Sequence, residues 1–200
     1  AQFLKWEKEI PDDIFLRQPF NGVWKTWTWA QAGEEARKIA QGLRSLNLPD
    51  KSHIAILSKN CTHWIISDLA IMMAGYISIP IYPTLSAHSI QPILVHSDTK
   101  AIILGKLDDF DSQKDGIPGD VIRIGMETYG IKSEYTLENF ITQHPPLQET
   151  NEWKENDIFT IIYTSGTTGK SKGVMHNIGA FDSVIQISIK DLSLPQRPIL

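Results

Sequence analysis

Short aliphatic runs recur along this chain: Ile54-Ala55-Ile56-Leu57, Ile77-Ser78-Ile79-Pro80-Ile81, Ala101-Ile102-Ile103-Leu104, Val121-Ile122-Arg123-Ile124 and Ile158-Phe159-Thr160-Ile161-Ile162. A short apolar run without polar alternation is what a strand shows when both of its faces are covered. Segments of helical spacing lie between several of them. Ala32, Ala36, Ile39, Ala40, Leu43 and Leu46 form one stripe, and Ile65, Ile66, Leu69, Ala70 and Met73 form another. Ile90, Ile93 and Leu94 mark a shorter helix, and Leu137, Phe140 and Ile141 one more. Strands alternating with helices at this interval predict an α/β fold, a mostly parallel sheet between two helical layers.

Punctuation residues set the expected boundaries. Val23-Trp24-Lys25-Thr26-Trp27 alternates as a half-exposed strand does. Thr28 with Gln31 forms a capping-box pattern that opens the first striped helix, and Pro49 ends that region. Asn60 is expected to cap the second helix, Gly75 to close it, and Ser86 to cap the third. Asp108, Asp109, Asp111 and Asp115 fail the spacing of a calcium loop, so residues 105–120 read as a solvated connection. Residues 143–157 read as a surface connection. No internal repeat is visible.

Composition narrows the class. Two hundred residues suffice for one domain with a substantial core, and a net charge of -4 without a dense Lys/Arg cluster argues against nucleic acid as a main partner. The apolar runs are well short of a membrane span. The single cysteine, Cys61, excludes an internal disulfide and fits a reducing, cytoplasmic setting. Cys61-x-His63 has no second ligand pair, so Cys61 reads as a buried structural thiol and His63 receives no role. The chain opens at Ala1 without a methionine and stops at Leu200, which reads as an N-terminal piece of a longer protein.

The last aliphatic run stops abruptly in Tyr163-Thr164-Ser165-Gly166-Thr167-Thr168-Gly169-Lys170-Ser171-Lys172-Gly173. Glycines let the backbone turn several N–H groups to one side, and such a concavity holds anions. Hydroxyls add donors, one of which can ligate a hard cation, and two lysines supply positive charge. The pattern suits a polyphosphate. A solvated connection is the bland alternative for any Ser/Thr/Gly-rich stretch. A P-loop is excluded by spacing, because Thr164 stands where its first glycine belongs. Gly173-Val174-Met175 reads as a second short strand and the next helix begins only near Asn177, with Phe181, Val184, Ile185 and Ile189 on its apolar face. The phosphates would thus sit between two strands.

Tyr-Thr-Ser-Gly-Thr-Thr-Gly-x-x-Lys-Gly resembles the signature loop of the acyl-activating, or adenylate-forming, enzymes, which include acyl-CoA synthetases, luciferases and peptide-synthetase adenylation domains. One departure is Ser171, where the family usually carries proline; its loss loosens the loop but removes no phosphate donor. The resemblance extends to Thr28-Trp29-Ala30-Gln31 and to Ala74 through Thr84, and Pro80-Ile81-Tyr82-Pro83-Thr84 looks most like the bacterial long-chain fatty acyl-CoA synthetases. By this resemblance, residues 1–200 are the N-terminal portion of a large AMP-binding domain, with the rest of that domain and a C-terminal domain absent.

The resemblance implies a reaction in two halves. A carboxylate, expected to be a long-chain fatty acid, attacks the α-phosphorus of ATP, giving acyl-AMP and pyrophosphate, and coenzyme A then displaces AMP. Thr164 would lie near Mg2+ through its hydroxyl. Ser165, Gly166, Thr167, Thr168 and Gly169 would surround the phosphates, and Lys172 would add catalytic charge. Lys170 is assigned to the phosphates as well, with solvated surface as the alternative at that variable position. His176 is read either as a histidine near the acyl site or as a capping or packing residue at a helix start. The partners implied are ATP, the acid and coenzyme A. A peripheral membrane contact fits a lipid substrate, although no basic amphipathic helix supports it. The fragment alone is expected to be inactive. Adenylation of a short-chain, aryl or amino acid, and a non-catalytic nucleotide-binding relative, stand as alternatives.

Overall fold

The computed structural model of the chain describes residues 2–165 and 171–191, the side chains of residues 165 and 186–191 excepted. In chain order its elements are α1 (Gln2–Glu9), β1 (Ile14–Phe20), β2 (Val23–Thr28), α2 (Trp29–Ser45), β3 (His53–Leu57), α3 (Thr62–Met73), β4 (Ile77–Ile81) and α4 (Ala87–His96). There follow β5 (Thr99–Leu104), β6 (Ile122–Gly125), β7 (Tyr135–Thr136), α5 (Leu137–Gln143), β8 (Ile158–Ser165), β9 (Ser171–Asn177) and α6 (Ile178–Asp191).

The larger sheet runs β7-β6-β5-β3-β4-β8-β9, parallel throughout except for the antiparallel pair β8–β9 at its edge. The aliphatic runs are buried for the expected reason. Ile54 and Ile56 of β3 join one core with Ala36, Ile39 and Leu43 of α2 and Ile66 and Ala70 of α3. Ala55 and Leu57 of the same strand join the opposite core with Ile90, Ile93 and Leu94 of α4. A strand alternates its side chains between faces, so a run apolar at every position needs helices on both sides. The three-layer α/β/α reading is the observed architecture.

Local signals hold in most places. Thr28 Oγ1 accepts from the backbone N–H of Gln31, and Gln31 Oε1 accepts from that of Thr28, a complete capping box. Gly75 follows α3 at φ +85°, which a residue with a side chain rarely adopts. Thr136 caps α5 by accepting from Asn139 N. Ser86 holds the cap position of α4, though its hydroxyl makes no capping bond.

Two corrections follow. Asn60 does not cap α3; the cap position falls on Cys61, and the first helical N–H, that of Thr62, is taken by Gln18 Oε1 of β1 at 2.7 Å. That is a tertiary cap, which no local pattern announces. Residues 105–120 are not wholly solvated: Gln113 is buried and its amide donates to the carbonyls of Pro83 and Leu85. Residues 143–157 run over the surface as expected, anchored by buried Leu147 and by Trp153 Nε1, which donates to Met72 O. The structure also adds α1 and β1. Strands β1 and β2 form a separate two-stranded sheet in which Trp27 is buried, whereas Val23 and Trp24 are exposed.

Candidate functional site

Strand β8 lies between β4 and β9, and its carboxyl end runs directly into the signature loop. In open α/β sheets that end of the strands is where ligands bind. The β8–β9 ladder pairs Thr160 with His176, Ile162 with Val174, Tyr163 with Gly173, Thr164 with Lys172 and Ser165 with Ser171. The loop therefore closes a hairpin, and the second strand expected after it is present. Gly166, Thr167, Thr168, Gly169 and Lys170 lie outside the described residues.

Residues directly opposite in an antiparallel pair share a face, with Cβ atoms about 5 Å apart. Thr164 and Lys172 are such a pair, and both are exposed. Thr160, Ile162, Val174 and His176 fall on the same face by period-two alternation. A hydroxyl, an ammonium and an imidazole are thus arrayed along one side of the hairpin, with the hydroxyl and the ammonium nearest the loop. Among the described residues, the ion pairs join Lys38, Lys51, Lys59, Lys100, Lys114 and Arg37 to acids elsewhere and do not involve Lys172.

Tyr163 and Gly173 occupy the other face. The Tyr163 ring is buried in the core with α4, and its hydroxyl meets His96 Nδ1 at 2.7 Å. Burial pushes the Tyr163 phenol up, so it stays an uncharged O–H. Gly173 is required by that ring: a Cβ there would stand 3.1 Å from Tyr163 Cζ and 2.9 Å from Ile161 Cγ2.

The base of the hairpin is fastened to the connection before it. Ile178 N donates to Asp157 O, and Gly179 N to Glu155 O. The Asp157 carboxylate accepts from Lys154 N and Lys51 Nζ, in that order the causes that hold its pKa below the usual range. Asn177 Oδ1 accepts from Ala180 N at 2.8 Å, so Asn177 caps α6 and His176, half-buried on β9, does not. Phe181 packs edge-to-face on Phe159 at 5.2 Å, yet Phe181, Val184, Val174 and Met175 are exposed. The side chain of Ile189 lies outside the described residues.

The remaining sequence candidates are structural. Cys61 is a buried free thiol. His63 sits between the rings of Trp27 and Tyr129, with Nδ1 3.4 Å from the Tyr129 hydroxyl. Desolvation there holds its pKa below 6.5. Asp108 and Asp111 pair with Lys59 and Lys114. Sequence reasoning missed the side-chain partner of the loop strand, His96, which lies 67 positions from Tyr163 and carries no motif.

Comparison with known proteins places these features. The family model described as AMP-binding enzyme matches residues 3–194. A long-chain-fatty-acid–CoA ligase of Mycobacterium bovis is 29% identical over 181 residues, covering 86% of this chain and 30% of the relative. Long chain acyl-CoA synthetase 1 of Arabidopsis thaliana is 30% identical over 191 residues, covering 86% of this chain and 27% of the relative. The chain thus spans less than a third of the length of these relatives. Among solved structures, o-succinylbenzoate coenzyme A synthetase of Bacillus subtilis, in complex with ATP and magnesium ion, superposes with a TM-score of 0.78 at 18% identity, covering 98% of this chain and 48% of that one. A fatty acyl-adenylate ligase from L. pneumophila, in complex with acyl adenylate and pyrophosphate, gives 0.75 at 20% identity, covering 98% and 33%. Both show the same fold.

Proposed function

The chain belongs to the AMP-binding enzyme family, and from that premise we propose that the intact protein activates a carboxylic acid with ATP and passes the acyl group to coenzyme A. Residues 1–200 would be the N-terminal portion of its AMP-binding domain. The acid is a long-chain fatty acid, a choice supported by the long-chain ligases among its relatives. In the first half-reaction a carboxylate oxygen attacks the α-phosphorus, the bond from that phosphorus to the pyrophosphate oxygen breaks, and acyl-AMP forms. In the second the thiol sulfur attacks the acyl carbon, AMP departs, and the thiol proton is released.

The observation that carries this reading is the exposed Thr164–Lys172 pair at the mouth of the β8–β9 hairpin. Charge builds on the departing pyrophosphate, and a fixed ammonium beside it lowers the barrier. Lys172 takes that part. Thr164 offers a hydroxyl oxygen, a hard donor of the kind Mg2+ accepts. The ammonium opposite would repel a bare Mg2+, so the pair fits the ion only together with phosphates whose negative charge both cations would share. Magnesium, when bound, neutralises phosphate charge. Ser165, Gly166, Thr167, Thr168, Gly169 and Lys170 would surround the phosphates. The buried free thiol Cys61 fits a reducing, cytoplasmic setting, and no helix among the described residues is long and apolar enough to cross a membrane.

The test is ATP–pyrophosphate exchange by the intact protein across acids from acetate to long-chain fatty acids, with aryl and amino acids included. Exchange that peaks with long fatty acids supports the proposal. A peak elsewhere keeps the chemistry and moves the substrate. No exchange with any acid, from folded protein, overturns it.

A further inference from the structure

We infer that His96 is a positioning residue for the phosphate loop, acting through the Tyr163 hydroxyl; the inference rests on the functional reading above for its consequence but on geometry for its existence. Strand β8 is a sheet strand at its start and a hairpin arm at its end. Its ladder with β4 is registered at Ser78 and Thr160, where Thr160 Oγ1 also donates to Ser78 O at 3.0 Å. Two residues further along β4 stands Pro80, which has no N–H for another rung, and β4 ends at Ile81. From Ile161 onward the backbone partner of β8 is β9, the outermost strand of the sheet among the described residues. Past Thr160 the end of β8 lies beside β4 without a further backbone rung to it, and the loop proposed to meet phosphates follows that end.

Tyr163 supplies a side-chain tie where those rungs stop. It is the last buried residue before the exposed Thr164, its ring lies in the core beside α4, and Gly173 across the ladder leaves room for that ring. The hydroxyl reaches His96 Nδ1 at the last residue of α4, with the two rings edge to face and centroids 5.8 Å apart. Helix α4 is in turn fastened by Ser97, whose hydroxyl donates to Ile93 O and meets Thr99 Oγ1 at the start of β5, and whose carbonyl meets His53 Nδ1 of β3. The bond therefore joins the loop-bearing end of the hairpin to the interior strands. Neighbouring Thr164, and Lys172 opposite it, inherit their placement from this bond.

The experiment uses the intact protein as wild type, His96→Ala, His96→Asn, Tyr163→Phe and the double variant His96→Ala/Tyr163→Phe. Asparagine places a polar atom the same number of bonds from Cα as Nδ1. Two readouts are taken: steady-state ATP–pyrophosphate exchange, and backbone amide hydrogen exchange. One neutral hydrogen bond contributes about 1 kcal/mol, so His96→Ala and Tyr163→Phe should each lower kcat by about fivefold with KM for the acid unchanged. The double variant should be no slower than Tyr163→Phe, and His96→Asn should recover most of the rate. Amides of 161–165 and 171–175 should exchange faster in the Ala and Phe variants while those of β3 and β5 do not change. Unchanged exchange at the hairpin, an additive double variant, or faster exchange spread equally over β3 and β5 would each overturn the tether. Should the wild type exchange no pyrophosphate with any acid, the functional reading falls, while amide exchange still decides whether His96 holds the hairpin.

Discussion

Strands β3 and β5 and the hairpin β8–β9 belong to one sheet yet meet different physical demands. Ile54, Ala55, Ile56 and Leu57 of β3, and Ala101, Ile102 and Ile103 of β5, are fully buried, with helices over both faces and strands on both sides. In the hairpin, Thr164, Lys172, Val174 and Met175 are exposed, and β9 is the outermost strand among the described residues. The interior strands derive their stability from removing apolar surface from water. The hairpin leaves the polar side chains of Thr164 and Lys172 exposed, and under the proposed function these would face a ligand. If the hairpin carries the proposed chemistry, stability and chemistry lie on separate strands, and substitutions should affect one without the other.

The largest effect is expected inside. Ile102→Ala should cost about 2–5 kcal/mol in urea unfolding, since the site is closed on all sides and cannot collapse freely; a loss below about 1 kcal/mol would erase the contrast. Lys172→Ala should do the reverse. Being exposed, it should change unfolding by no more than about 0.5 kcal/mol, yet remove about 2–4 kcal/mol of transition-state stabilisation from adenylate formation in the intact protein. An unchanged adenylation rate would sink its assignment. Gly173→Ala tests where the two regions meet: its Cβ would press on Ile161 and Tyr163, and thermal unfolding should report a loss of about 1–3 kcal/mol. Thr28→Ala, at the capping box far from the hairpin, should cost about 1 kcal/mol and leave adenylation kinetics alone.

The smallest effect is a pH dependence located in the scaffold. Burial holds His63 below its ordinary value of 6.5, so the fold favours the neutral ring. Stability from this source is fully present above 6.5 and is lost as pH falls through the lowered folded-state value. Melting temperature measured between about pH 5 and 7.5 should drop on the acid side in wild type and less so in His63→Gln. Equal slopes in the two proteins would remove His63 from the account.

Legibility in the sequence followed the same division. The interior strands announced themselves, because burial on both faces demands an unbroken aliphatic run. The helix start at Thr28 follows a rule written within four residues. Asn60 failed as a cap because Gln18, brought by β1, already occupies the donor it would have met. The two strands β8 and β9 were readable on either side of the glycine- and hydroxyl-rich segment, whose residues 166–170 lie outside the described ones. His176 was readable only as a choice, and Asn177 removed the capping alternative by taking that bond itself.

What the sequence by itself determined is the α/β alternation, the family, and the loop that marks the candidate site, all carried by patterns short enough for neighbouring residues to express. Only the tertiary structure decided which residues support that loop. Tyr163 meets His96 across 67 positions, and Thr62 finds its cap in Gln18 across 44. A hydrogen bond needs its partners within about 3 Å, and only the closed fold brings such distant positions that close.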